Sequence, residues 1–151
     1  MTGAMHMVAV EQPRSLHHWE ATLTAEAAAA STARRMVGSV LREWGWENDR
    51  ASDLVLIASE LVTNVVRHAS RSRGSIGLHL QETGGDCRIE VLDCRPDLPL
   101  PETPVARGEC GRGLLLVREL ADGTGVVTTA TTKNVWARVL LAAGDAPRRT
   151  P

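Results

Sequence analysis

The stretch from Asp53 to Ala69, Asp-Leu-Val-Leu-Ile-Ala-Ser-Glu-Leu-Val-Thr-Asn-Val-Val-Arg-His-Ala, contains neither glycine nor proline. A run of that length without a breaker predicts a helix to about Ser70, with Asn48 or Asp49 ready to cap its start. At about 100° per residue, Leu54, Ala58, Leu61, Val62, Val65 and Ala69 form one apolar stripe. Glu60, Asn64, Arg67 and His68 gather on roughly the opposite side, with Asp53 and Ile57. The stripe must be buried against a second layer of structure. Glu60, Asn64 and His68 recur at i, i+4 and i+8, which stacks them on one face. A carboxylate and an amide oxygen one turn apart can hold a hydrated Mg²⁺ or position a water or a hydroxyl. A solvated helix face is the other reading of the same residues.

Around this helix the chain reads in order. Residues 1 to about 15 are expected to be a disordered lead, 16–143 one domain, and 144–151 a disordered tail. Trp19 to Leu23 reads as a short strand. Thr24 reads as the N-cap of a helix that runs to about Trp44, where Gly45 breaks it. Ala27, Ala28, Ala30, Ala33, Met36, Val37, Val40 and Leu41 supply its contact surface. Arg34 and Arg35 could serve a phosphate or remain solvated. Ser75 to Glu82 alternates, with Ile76, Leu78 and Leu80 on one side. Thr83-Gly-Gly-Asp86 is a hairpin connection. Cys87 to Asp93 alternates again, and Asp93 shares the buried parity of Cys87, Ile89 and Val91. A carboxylate there needs a partner, either in the next loop or in a ligand.

A loop of about seventeen residues follows, Cys94 to Cys110, with four of the seven prolines. Its length points to a functional lid or a mobile segment. It ends in Gly111-Arg-Gly113, which opens an apolar helix. Helix starts bind phosphate through free N–H groups, and glycines allow close approach. A flexible helix start is the plain alternative. There is no lysine in the glycine stretch, so it is no P-loop, and the Rossmann spacing is absent. Gly125 to Ala130 and Asn134 to Leu141 close the chain as a strand pair, with Trp136 on the face opposite Val135, Ala137, Val139 and Leu141. The order predicts an α+β fold, with one mixed, mainly antiparallel sheet and helices on one face.

Composition narrows the classes. The 151 residues suit one domain, and a net charge of −1 implies no general affinity for nucleic acid. Phe and Tyr are absent, so a base-stacking platform would rest on four Trp alone. Three cysteines without a Cys-x-x-Cys pair, and five histidines without metal spacing to them, make zinc an unexpected ligand. Free thiols, no apolar run of ~20 residues and no secretory leader predict a cytoplasmic protein without a membrane span.

Four ordered blocks now carry a resemblance: Ser59-Glu60-Leu-Val-Thr-Asn64-Val-Val-Arg-His68-Ala, Val91-Leu-Asp93-Cys-Arg-Pro96, Gly111-Arg-Gly113-Leu-Leu-Leu-Val and Lys133-Asn-Val-Trp136-Ala. Over roughly residues 20 to 142 the chain resembles the GHKL superfamily of ATP-binding domains, which includes histidine kinases, gyrase B and MutL. Within it, the chain looks like the anti-sigma-factor serine kinases, and most of all like the single-domain regulatory ATP-binding proteins of actinobacteria. The resemblance implies a Bergerat-type two-layer sandwich that binds ATP and Mg²⁺. It makes Glu60 the general base, or the group that orients the attacking hydroxyl, and Asn64 the Mg²⁺ ligand. It makes Asp93 the acceptor for the adenine amino group. Gly111 and Gly113 then lie against the triphosphate, with the amides of Arg112 and Leu114 as donors. His68 has a matching place at the helix end. Cys94-Arg-Pro96 stand where the wider superfamily has glycines, Thr132 stands where a glycine commonly precedes Lys133, and Gly123-Thr-Gly125 lacks a Trp often found there.

The function implied is an anti-sigma-type regulator and serine kinase. It would bind a sigma factor, phosphorylate a STAS-type anti-anti-sigma partner, or both, with a homodimer as an allowed assembly. The alternative is a non-catalytic, ATP-dependent protein-binding module. No helix pair with a phospho-accepting His precedes the domain, which disfavours a sensor kinase, and the short chain lacks the transducer domains of gyrase-like motors.

Overall fold

The computed structural model describes residues 16–68, 74–93 and 109–140. The expected lead (1–15) and tail (144–151), and loop residues 94–108, lie outside the described residues. Among the described residues eight elements follow in order: β1 (His17–Thr24), α1 (Ala29–Glu43), α2 (Asp49–His68), β2 (Ser75–Glu82), β3 (Asp86–Asp93), α3 (Glu109–Leu120), β4 (Gly123–Thr128) and β5 (Lys133–Leu140). The five strands form one sheet in the order β1-β2-β3-β5-β4, and each of its four pairings is antiparallel. One face is buried and carries the helices. Ile76, Leu78, Leu80, Ile89, Val91, Ala137 and Val139 meet Val37, Leu41, Leu54, Ala58, Leu61 and Val62 in one core. Each large aliphatic side chain so buried contributes about 1.5–3 kcal/mol. The result is the α+β sandwich expected from the alternating strands and the amphipathic helices.

Local chemistry explains the element ends. Asn48 is the cap of α2, its Oδ1 accepting from the Ala51 N–H at 3.0 Å. α1 stops at Gly45, whose φ of 86° is open to glycine at little cost. There the Trp46 N–H donates to the Leu41 carbonyl at 2.8 Å and the Gly45 N–H to the Arg42 carbonyl at 3.0 Å. These two bonds satisfy carbonyls left open at the helix end. The hairpin from β2 to β3 turns through Gly84, at φ 89°, and closes with the Thr83 N–H donating to the Asp86 carbonyl at 3.1 Å.

Two expectations change. Thr24 is the last residue of β1, paired with Ser75, and α1 begins only at Ala29. Pairing with β2 holds the backbone of Thr24 extended, and the Ala25 N–H then donates to the Gly74 carbonyl at 2.8 Å. Ile57, assigned to the polar side of α2, is fully buried. It lies three residues after Leu54 and four before Leu61, so it widens the apolar stripe of a helix packed on both α1 and the sheet.

Arg50 closes the structure around α2. Its guanidinium donates to Asp53 at 2.9 Å, to the Leu140 carbonyl at 3.0 Å and to the Leu120 carbonyl at 3.3 Å, and it pairs with Asp122. The start of α2 is thereby joined to the end of α3 and to β5. Asp53 is committed to this clasp. Of the paired arginines of α1, Arg34 donates to Ser59 Oγ at 3.1 Å and Arg35 to Thr32 Oγ1 at 3.4 Å.

Candidate functional site

The polar face of α2 meets the start of α3. Glu60 and Asn64 are both half-buried, one turn apart on the same side of the helix. Just behind them, the buried Ser59 receives the bond from Arg34, and its carbonyl accepts from Thr63 Oγ1 at 2.7 Å. The Arg34 bond ties this turn of α2 to α1, and the Thr63 bond lies within α2. α3 then crosses so that Gly113 lies directly against this face. A Cβ at Gly113 would stand 2.7 Å from Glu60 Oε2 and 3.9 Å from Asn64 Oδ1. A residue with a side chain would displace the carboxylate, so the approach depends on glycine.

Asp93 closes β3 on the inner face, between Ile76 of β2 and Lys133 of β5 in register. It is only 5% exposed, as its parity predicts. A carboxylate this buried is held by hydrogen bonds or by a ligand that donates to it.

The structure thus brings Glu60, Asn64 and Gly113 together, with Asp93 on the inner face of the neighbouring sheet. His68 ends α2 one turn beyond Asn64 and is exposed. Gly111 and Arg112 belong to α3, which begins at Glu109, before the glycine pair. The open amides of a helix are those of its first turn, here Glu109 to Gly111. Arg112 and Leu114 lie further in, where the helical ladder uses the N–H groups. Leu114 packs its side chain on the core, beside buried Val117.

Glu60 and Asn64 offer oxygen donors of the kind that a divalent cation takes. Glu60 and Asn64 aim oxygens at the space that a methyl group on Gly113 would fill. Hard oxygen donors suit Mg²⁺, which keeps several waters and is shared with phosphate. A carboxylate beside that ion can also accept a proton.

Pattern reading passed over two supporting groups. Glu82, fully buried at the end of β2, accepts from the Trp46 indole N–H at 2.9 Å and pairs with His17. Its parity with Ile76, Leu78 and Leu80 is the signal that could have found it. For Arg50 the sequence offers only the i,i+3 pair with Asp53; its other partners lie in α3, β5 and the segment after α3, where no spacing could show them.

A family model of the histidine kinase-like ATPase domain matches residues 23–139. The structure is similar to that of the RsbU and RsbW domains of Rv1364c from Mycobacterium tuberculosis, with a TM-score of 0.64 and 23% identity. That match takes in 82% of this chain and 32% of the mycobacterial one, so this chain spans about a third of that length. It is also similar to the SiaB–SiaC complex from Pseudomonas aeruginosa, with a TM-score of 0.57, 11% identity, and coverage of 84% and 90%. At these identities the likeness speaks for the fold. No curated protein matches the chain. The matched segment runs from the end of β1 to the penultimate residue of β5 and takes in Glu60, Asn64, Asp93 and Gly113, and the chain belongs to the histidine kinase-like ATPase domain family.

Proposed function

We propose that this protein is a Mg²⁺-ATP-dependent regulator of the anti-sigma type that phosphorylates a serine of a STAS-type partner. Family membership implies ATP binding. The observation that carries the kinase reading is the close approach of Gly113 to the Glu60 carboxylate beside Asn64. Bound Mg²⁺-ATP supplies the γ-phosphoryl group as the electrophile. Asn64 offers its amide oxygen to the metal. Asp93 accepts a hydrogen bond from the adenine amino group. Gly111 and Gly113 let the backbone of α3 approach the phosphates. Glu60 orients the incoming serine hydroxyl and takes its proton as the serine oxygen bonds to phosphorus and ADP leaves. The likeness to an RsbW domain and to SiaB, solved in complex with SiaC, supports a protein partner. A sigma factor is the second partner class on this reading.

The test pairs nucleotide affinity with transfer from labelled ATP to candidate STAS proteins. Glu60→Ala is expected to bind ATP within several-fold of wild type and to lose about 10²–10⁴-fold in transfer rate. Asn64→Ala is expected to lose both. Asp93→Ala removes a charged acceptor worth about 1.5–3 kcal/mol, so affinity falls roughly 10–150-fold. GTP is expected to bind worse, because its ring presents a carbonyl where adenine has its amino donor. Wild-type transfer by Glu60→Ala would reject the base assignment. Tight ATP binding without transfer to any partner would leave the ATP-dependent binding module in place of the kinase.

A further inference from the structure

The face of the sheet that carries no helices holds a second set of donor groups. Glu20 of β1 stands directly across from His79 of β2, and His79 stands across from Glu90 of β3. His18, two residues before Glu20, lies on the same face and diagonal to His79, with ring centroids 6.1 Å apart. One ligand atom each from His18, Glu20 and His79 lie within 4.8 Å of one another. His79 Nε2 is 3.7 Å from Glu20 Oε2, and its Nδ1 is 3.9 Å from Glu90 Oε2. Glu90 is itself held, by Arg88 Nη2 at 2.8 Å and by Asn134 Nδ2 at 3.1 Å.

We propose that His18, Glu20 and His79 form a zinc site that joins the edge strand β1 to β2, with Glu90 orienting His79 from behind. Two imidazoles and a carboxylate are the donor set of three-residue zinc sites, with a water in the fourth position. A tetrahedral ion with bonds of about 2.0–2.2 Å holds its donors roughly 3.3–3.6 Å apart. The His79–Glu20 separation nearly meets that as it stands. His18 is exposed and reaches it by turning its ring. Nδ1 stands 3.9 Å from Glu90, beyond hydrogen-bond reach; a small turn of either side chain would close that bond and leave the Nε2 lone pair for the metal, the arrangement in which a carboxylate fixes the tautomer of a zinc-bound histidine. The set also separates two ions. Imidazole favours zinc, whereas the oxygen donors of Glu60 and Asn64 favour Mg²⁺. His17, although adjacent, is no ligand here, because it turns to the opposite face, onto Trp44 and Glu82.

The test uses the full chain, stripped with a chelator and titrated with Co²⁺ and Zn²⁺. One equivalent is expected, with a Co²⁺ spectrum of nitrogen and oxygen ligation and no sulfur charge-transfer band. His18→Ala, Glu20→Gln and His79→Ala are each expected to weaken affinity at least tenfold, and Glu90→Gln about 10–100-fold. His6→Ala is expected to bind as wild type does. Zn²⁺ is expected to raise the Tm of wild type and not that of His79→Ala, while circular dichroism shows both folded. Absence of saturable binding, a sulfur charge-transfer band, or wild-type affinity in both His18→Ala and His79→Ala would overturn the proposal. These readouts involve no nucleotide, so failure of the kinase reading leaves them untouched.

Discussion

At Gly113 one absent methyl group leaves room for the Glu60 carboxylate. A Cβ there would lie 2.7 Å from Glu60 Oε2, the far end of a flexible side chain. Gly113→Ala therefore forces the carboxylate aside without breaking the backbone. Alanine in a helix is favoured over glycine by about 0.8–1 kcal/mol. The expected result is an unchanged or higher Tm by calorimetry together with a clear fall in phosphate transfer. Unchanged transfer would mean that the position of Glu60 is not critical. Opposite movement of stability and transfer at this one position would mark a glycine kept for approach rather than for folding.

At the level of elements, the β4–β5 hairpin depends on a different glycine. The Trp136 indole of β5 lies across β4 and under the Arg88 guanidinium, 4.4 Å from the ring centroid. A Cβ at Gly125 would meet the indole at 2.5–2.7 Å, whereas one at Gly123 would meet it at an ordinary 3.5 Å. The ring is rigid and held on its other side, so Gly125→Ala is expected to cost about 1–3 kcal/mol. It is also expected to shift Trp fluorescence. Gly123→Ala is expected to do little. Equal denaturation midpoints for the two variants would show that the indole moves freely. Trp136 thus packs on the sheet, as its parity suggested, and β4 is kept by the absence of side chains beneath it.

Across the whole molecule, Cys87 offers a probe of how nucleotide binding would stabilise the folded state. This thiol is buried in the middle strand of the sheet, and burial pushes its pKa well above the usual thiol range, with Glu82 and Asp86 adding to the effect. Only the thiolate reacts, so alkylation of Cys87 waits for the sheet to open. A ligand that binds only the folded state stabilises it by RT ln(1 + [L]/Kd), about 2.7 kcal/mol at one hundred times Kd. Mg²⁺-ATP at that level is expected to slow Cys87 labelling about a hundredfold when reclosing is faster than alkylation. Peptide mass spectrometry reads the rate. Asp93→Ala, with affinity roughly 10–150-fold weaker, is expected to keep only about two- to elevenfold slowing at the same ATP concentration, and equal slowing would remove Asp93 from the adenine site.

Periodicity alone determined which residues form α2, β2 and β3, because a stripe or an alternation is local chemistry repeated along the chain. β2 runs from Ser75 to Glu82 as its alternation predicted, and Asp93 faces inward because parity leaves it no other side. Strand pairing across the fold decided where β1 ends, since Thr24 is extended by its bond to a strand some fifty residues away. The width of the buried side of α2 was likewise a tertiary matter. Ile57 is apolar on either reading, and only packing against both α1 and the sheet buries it. The meeting of Gly113 with Glu60 and Asn64 needed the crossing of α3 over α2. The open-face set of His18, Glu20 and His79 needed the register of β1 on β2. No spacing along the chain encodes either one, because both are distances between elements, and those are set by how the core closes.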